Sequence, residues 1–147
     1  MAILQSDYAK FIKEPPTIGH AGVVQAVAFE YSFASQALTA ASDIVEIGFL
    51  PALAKPHRAR LIGEGLGAIT ADVGLMSGTV GDNVSVRTSG DELFDGTSVN
   101  DAEAEATALE IRAIAASTAH RSIGVKFSGN IAAGAGKKVT VILEYTF

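Results

Sequence analysis

The 147-residue sequence contains no cysteine, which excludes disulfide bonds, thiolate zinc sites, iron–sulfur clusters and cysteine nucleophiles. Tryptophan is also absent, and only three tyrosines and seven phenylalanines are present. Proline is scarce, with four residues, two of them adjacent near the N-terminus. Stability must therefore come from the packing of mostly aliphatic side chains, with assembly as a further source.

Long apolar runs are missing as well. Hydrophobic residues make up 48% of the chain, yet no stretch approaches the roughly 20 consecutive apolar residues of a membrane span. The first residues lack a basic region followed by an apolar one, so no secretory signal is expected. The length suits one domain with a substantial core. We expect a protein with no membrane partner that stays in the compartment where it is made.

Positive charge is in short supply, since 11 Lys and Arg face 16 Asp and Glu and the net charge is −5. A nucleic-acid partner is not expected, because such binding needs basic clusters that displace phosphate counterions. Seven acidic residues fall between Asp91 and Glu110, where no Lys or Arg occurs. This acidic run is either a solvated loop or a docking surface for a basic partner, and both interpretations stay open.

Alternation of apolar and polar residues with period two recurs along the chain and predicts β-strands. In residues 23–33 the bulky side chains are Val23, Val27, Phe29, Tyr31 and Phe33. Eight segments have this character: residues 23–33, 43–50, 58–62, 68–76, 83–88, 109–115, 122–127 and 138–147. Turn sequences rich in Gly, Ser, Asn and Asp separate them. About eight short strands predict an all-β fold, an antiparallel β-sandwich that is jelly-roll-like or otherwise Greek-key.

Two segments fall outside this strand pattern. Residues 100–108 alternate Ala with Glu; helix propensity and a strand edge fit them equally well, and we predict a loop with one helical turn. Residues 1–20 are predicted to form an extended N-terminal arm, and residues 21–147 the sandwich domain. Pro15 and Pro16 favour a polyproline-like course. The arm either folds back on its own core or reaches a neighbour.

Three alternate glycines, Gly63, Gly65 and Gly67, raise the question of a phosphate-binding loop. A dinucleotide fingerprint needs a third glycine three positions after the second and a helix that follows it. Here Ala68 occupies that position, a strand pattern follows, and Glu64 would repel a phosphate. We therefore predict that the glycines shape a connection between two strands.

Catalytic and metal-binding motifs are not found in the sequence. The histidines His20, His57 and His120 lack the spacing of a local metal pair. No serine lies in a G-x-S-x-G elbow. Asp91, Asp95 and Gly96 do not have the spacing of a calcium loop. We predict no catalytic, cofactor or metal site, and a protein that is not an enzyme.

The order of the strand motifs is more informative than any single motif. A strand ending in a proline turn, "DIVEIGFLPA", is followed by "HRARLI", "ADVGLMSG", the acidic run, "RSIGVKFSG" and "KKVTVILEYTF". Over residues 40–147 this order resembles that of the small β-rich decoration, or cement, proteins of tailed bacteriophages. Each motif is short and ordinary for β structure, so the resemblance lies in their succession.

The resemblance implies a structural virion protein, made in the host cytoplasm, that binds the outer surface of the capsid. Its implied partners are the major capsid protein and itself, commonly as a homotrimer, with no cofactor. The sequence adds a hypothesis about contact residues, because an apolar, proline-stiffened segment lies outside the strand pattern. We predict that Tyr8, Phe11, Ile12, Pro15 and Pro16 form an arm that contacts the capsid or a sister subunit.

Two other functions fit the same composition. One is a carbohydrate-binding sandwich on a phage head or tail fibre, although such modules stack sugars on exposed aromatics and this chain has few. The other is a different structural role in the head or tail, such as a tail-tube or head-completion protein.

Overall fold

The computed structural model describes residues 1–17, 22–106 and 108–147; His20 lies outside these ranges. The described part of the chain contains nine strands and one short helix. The elements are β1 Ile3–Gln5, β2 Gln25–Ser32, β3 Ile44–Leu50, β4 Lys55–Glu64, β5 Thr70–Leu75, β6 Phe94–Ser98, β7 Glu103–Glu105, α1 Ala108–Ala113, β8 Arg121–Phe127 and β9 Lys138–Thr146. Within the described residues, no helix is long and apolar enough to span a membrane.

The strands form two sheets that pack face to face. Sheet A has the order β1-β3-β8-β5-β6 and sheet B the order β2-β9-β4-β7. All pairings between strands are antiparallel except β1 with β3, which is parallel. Without β1, the two four-stranded sheets have the strand order of a jelly roll, two interlocked Greek keys. The predicted all-β, jelly-roll-like sandwich is confirmed.

Strand β2 shows how the sequence pattern produces the two faces of sheet B. Val27, Phe29 and Tyr31 are buried in the core, whereas Ala28 and Glu30, on the opposite face, are exposed to water. Strand β9 alternates in the same way, with Val139, Val141, Leu143 and Tyr145 in the core. Because successive side chains of a strand point to opposite faces, period two in the sequence becomes one dry and one wet surface.

Strand β3 is buried on both faces, between the core and segments that cover its outer side, and it contains a β-bulge. The register with β8 shifts between Glu46 and Gly48, so Ile47 and Gly48 both face the core. As a result Glu46 and Phe49 lie on the outer face of sheet A, under other segments of the chain. This outer face carries the residues that matter for the candidate site.

Two predicted strands are wrong. Residues 83–88 form an irregular loop, because the Arg87 side chain is drawn inward while Val84 and Val86 point to solvent. Residues 109–115 overlap helix α1, whose buried Ile111 is followed three residues later by buried Ile114. Apolar residues three apart suit one face of a helical turn, so the real period is not two.

Three short strands were not predicted: β1, β6 and β7. Strand β7 lies within residues 100–108, and it realises the strand-edge alternative rather than the predicted loop. The glycine prediction holds for Gly65 and Gly67, which have φ of 65° and 83° in the connection from β4 to β5, whereas Gly63 lies within β4, close to Val99. Glycine adopts such left-handed conformations without steric cost.

Candidate functional site

The N-terminal segment packs on its own domain. Strand β1 extends sheet A by pairing with the first half of β3, and Ser6 donates to the Ile47 carbonyl at the bulge. The Asp43 carboxylate accepts the Ala2 N–H at 2.8 Å and the Ala40 N–H at 3.1 Å. The Ala2 hydrogen bond is the main cause that lowers the pKa of Asp43 below its ordinary value. The segment is thus held by backbone and side chain together.

Three of the five predicted contact residues lie against this domain. The Tyr8 ring meets Phe29 of the core edge-on, with ring centroids 4.8 Å apart. Pro15 is buried, and the carbonyl of exposed Pro16 accepts a hydrogen bond from the Tyr145 hydroxyl. Burial raises the pKa of Tyr145 to about 12, with a smaller contribution from Tyr8. These contacts close the open side of the sandwich between β1 and β2.

The other two predicted residues, Phe11 and Ile12, remain exposed, with 49% and 69% of their surface accessible. Phe11 has φ of 57°, and a third exposed apolar residue, Leu53, has φ of 66° and is 61% exposed. A large side chain in the left-handed region carries a steric cost, and such residues cluster at functional sites. A hydrogen bond from the Leu53 N–H to the Ser117 carbonyl, at 2.6 Å, holds the Leu53 turn in place.

Phe11 and the Leu53 turn border one groove of about 370 Å³, which we call the apolar groove. It is lined by Phe11, Ala52, Gly78, Thr79, Val80, Thr118, Ala119 and His120. None of the described residues that line it is acidic, Lys or Arg. Beneath it, Phe49 lies between Phe11 and His120, with ring centroids 5.4 and 5.0 Å away. The groove therefore offers a partner an uncharged, aromatic-backed surface.

His120 supplies one polar group of the apolar groove, beside Thr79 and Thr118. Its Nδ1 accepts the Ala52 N–H at 3.0 Å, which requires an unprotonated Nδ1. The neutral ring then carries its proton on Nε2, which can donate to a partner. The sequence motif "HR" before β8 thus ties the turn before β4 to the loop before β8.

Further exposed apolar residues lie at the same end of the molecule. Gln25, the first residue of β2, pairs with Tyr145, and Tyr145 pairs with Pro56 of β4. Val24 and Leu53, the exposed residues just before these two strands, therefore leave sheet B at one end. Exposed apolar residues grouped in this way, unlike scattered ones, mark interaction surfaces.

The acidic run is partly used within the fold. Glu105 accepts two hydrogen bonds from Arg58, at 2.5 and 2.9 Å, and Glu103 accepts hydrogen bonds from Arg60. The hydrogen bond from Arg58 is the main cause that lowers the pKa of Glu105. Asp101 accepts the Gly65 N–H at 2.7 Å. Within the described residues, no three His, Asp or Glu side chains converge as metal ligands, and Asp91 and Asp95 do not form such a group.

Sequence reasoning missed Ala52 and His120, which line the groove, and exposed Leu53, which follows Ala52 in the chain. One signal in the sequence pointed to Leu53. The turn "LPALAKP" follows a strand that ends at a proline, and a large apolar residue is unusual in such a solvent-facing turn. No local pattern could place His120 next to that turn, since the two are 68 residues apart in the chain.

No protein-family model and no curated protein sequence matches the chain. Among solved structures it is similar to a chain in the capsid of Ralstonia phage GP4, with 40% identity and a TM-score of 0.87 over 99% of this chain and 97% of that chain. A chain of the cyanophage Pam1 capsid asymmetric unit shares the fold, with 18% identity and a TM-score of 0.57 over 92% of each chain. A chain in the acid-stable capsid of Helicobacter pylori bacteriophage KHP30 does so at 12% identity and a TM-score of 0.51, over 87% of this chain and 90% of that one. The 40% identity along nearly the whole length shows that the chain belongs to a family of bacteriophage capsid proteins and is a structural component of the virion.

Proposed function

We propose that the protein is a decoration protein that binds the outer surface of a phage capsid and braces neighbouring major capsid proteins. The observation that carries the proposal is the uncharged apolar groove, which Ala52 and exposed Phe11 help to line. Exposed Leu53 directly follows Ala52, and both Phe11 and Leu53 have left-handed backbone conformations. The virion role of the family supports it, and so does the succession of strand motifs.

The energetic basis of this function is the burial of apolar surface at many equivalent contacts. Fully burying a Leu, Ile or Phe side chain contributes about 1.5–3 kcal/mol, and Phe11, Ile12 and Leu53 each keep about half or more of their surface available. Ordering costs reduce the gain at each single contact. Repetition over a closed lattice then converts modest contacts into a large total stabilisation.

The proposal includes self-association as a homotrimer. A trimer could contact the capsid at several points at once, which raises the effective concentration of each contact. The apolar groove then faces either a capsid protein or a sister subunit. We assign it to the capsid protein, because the N-terminal segment that carries Phe11 and Ile12 pairs with its own domain through β1, so a single subunit supplies the groove.

A carbohydrate-binding function is less well supported by the positions of the aromatic rings. Tyr31 and Tyr145 are buried, and Tyr8 packs on Phe29. Phe11 is the only exposed large aromatic among the described residues, and it lines an apolar groove rather than a polar one. No specific observation favours a tail-tube or head-completion role.

Co-sedimentation with capsids that lack the protein tests the proposal. We expect wild-type protein to bind them, and Phe11→Ser with Leu53→Ser to bind at least 10-fold more weakly. Leu109→Ser is the matched control, because Leu109 is a leucine exposed to 82% on α1, next to the edge strand β7. Equal binding by the double variant and the control would refute the groove as the contact surface. Absence of wild-type binding would refute the decoration function.

A further inference from the structure

The loop of residues 77–87, which we call the 77–87 loop, lies across the outer face of sheet A and is anchored by one arginine. Arg87 is only 3% exposed. Its Nε donates to the Ser77 carbonyl at 2.7 Å and its Nη1 to the Asp82 carbonyl at 2.5 Å. A single side chain therefore ties the start and the middle of the loop together, although the loop has no regular secondary structure.

The same arginine ties the loop to the sheet through Glu46, which is fully buried. Arg87 Nη2 lies 3.0 Å from Glu46 Oε1, which also accepts the Ser122 hydroxyl at 2.6 Å and the Gly81 N–H at 3.0 Å. The second carboxylate oxygen, Oε2, accepts Gln5 Nε2 at 2.8 Å. Glu46 thus connects β1, β3, β8 and the 77–87 loop at one point.

The ionised state of Glu46 is favoured by these contacts. Burial raises its pKa, but the hydrogen bonds from Arg87, Ser122, Gln5 and Gly81 together outweigh burial and lower the pKa below its ordinary value. A buried ion pair adds little stability compared with apolar residues of similar size. However, a buried network in which every polar group is hydrogen-bonded holds its residues in one geometry. Here the network holds the 77–87 loop in place.

The anchored loop forms one wall of the apolar groove. Gly78, Thr79 and Val80 line that groove together with Ala52 of the Leu53 turn. Gly81, with φ of 80°, passes so close that an added Cβ would lie 2.9 Å from the Ala9 carbonyl oxygen and 3.4 Å from the Phe11 ring. The loop also exposes Val84 and Val86, at 44% and 79%. The loop therefore carries exposed apolar residues as well as one that lines the groove, Val80.

We infer, on the basis of the proposed function, that Arg87 and Glu46 are positioning residues that hold the 77–87 loop rigid as the second half of the capsid-binding surface. The partner is an apolar surface of a major capsid protein, which contacts the groove and Val84 with Val86 together. A loop already fixed in its bound geometry does not lose conformational freedom on binding. The Arg87–Glu46 ion pair therefore increases the affinity for the capsid protein rather than the stability of the fold.

Hydrogen–deuterium exchange and capsid co-sedimentation of the variant Glu46→Gln with Arg87→Met test the inference. Removing both charges leaves no unpaired buried ion, so the sandwich is expected to fold. We expect amides of residues 78–86 to exchange at least 10-fold faster, amides of β8 and β9 to be unchanged, and capsid affinity to fall about 10-fold. Val86→Ser is the matched control, expected to weaken binding with loop exchange unchanged.

Each outcome decides the inference. Unchanged loop exchange in the double variant would overturn it, as would faster loop exchange with unchanged capsid affinity. If the double variant does not fold, Arg87→Lys is the substitute, because lysine keeps the charge but not the planar fork that reaches two carbonyls. Failure of wild-type protein to bind capsids would overturn the decoration function and the binding role, while loop exchange would still report on the Arg87 anchor separately.

Discussion

At the scale of single residues, Gly48 is a position at which the fold tolerates little change. A Cβ added there would lie under 3.0 Å from the Phe29 ring, which is itself fully buried. The position follows the bulge in β3, so both Ile47 and Gly48 face the core, and only one of them can carry a side chain. Neither the phenylalanine nor the strand can move away without opening the sandwich.

We predict that Gly48→Ala lowers the free energy of unfolding by about 1–3 kcal/mol, the usual cost of overpacking a dense core. The measurement is urea unfolding at neutral pH. Gly134→Ala is the control, because the Cβ there would approach only the far end of the Lys137 side chain, which can move aside. Equal midpoints for the two variants would contradict the prediction.

At the scale of elements, β1 depends on a capping interaction rather than on its own three residue pairs. Asp43 precedes β3 and accepts N–H groups from Ala2 and Ala40, so one carboxylate fixes both the start of β1 and the turn before β3. A three-residue strand contributes few ladder hydrogen bonds, which makes this cap a large part of what holds the N-terminal segment.

We predict that Asp43→Ala destabilises the protein by about 1–3 kcal/mol at pH 7, the range for hydrogen bonds to a charged group. Because the pKa of Asp43 is lowered in the folded state, its contribution is present at neutral pH and is lost as the pH falls through the folded pKa. The difference between variant and wild type should therefore shrink in acid. Urea unfolding at pH 7 and in acid measures it; a difference that does not change with pH would contradict the prediction.

The elements that the sequence predicts well are those whose environment is set by local alternation. Strands β2 and β9 have one solvent-facing and one buried face along their whole length, so apolar and polar residues alternate in their sequences with period two. Residues 83–88 alternate too, but Arg87 is buried for its hydrogen bonds, and no local pattern shows that carbonyls of the same loop will surround it. In residues 109–115 a mixed set of apolar residues fits two periods, and tertiary packing selects the helix.

The candidate site was predictable only in part. Phe11 and Ile12 stand out as apolar residues outside the strands, and the structure leaves them exposed. Tyr8 and Pro15 have the same character in the sequence, but they fill the open side of the sandwich, which only the folded arrangement of β1 and β2 creates. The groove itself joins turns that are far apart in the chain, and it depends on topology rather than on any motif.

At the scale of the whole molecule, the surfaces differ in character. The outer face of sheet B carries ion pairs such as Arg58–Glu105 and Lys138–Glu64, with Lys138 also near Glu30. These side chains are well exposed, and such pairs contribute little to stability. Sheet A also carries the ion pair Lys126–Asp72, whereas the described residues that line the apolar groove include no acidic residue, Lys or Arg.

We predict that light scattering of the purified protein gives the mass of a trimer. Phe11→Ser with Leu53→Ser should keep that mass while losing capsid binding, because we assign the groove to the capsid protein. A variant that becomes monomeric would place the groove between sister subunits instead. A monomeric wild-type protein would contradict the homotrimer and restrict assembly to the capsid surface.

The strand order also determines when the molecule can form. In sheet B, β2 and β4 do not pair with each other; both pair with β9, and in sheet A both β3 and β5 pair with β8. Strands β8 and β9 are therefore synthesised after the strands that pair with them. Until then, β2 and β4, like β3 and β5, each have an edge whose backbone groups are unpaired. Such long-range pairing is slow and leaves chains prone to aggregation. A ribosome-bound fragment lacking β8 and β9 should consequently depend on chaperones, and no partly made copy can present the assembled binding surface to a capsid.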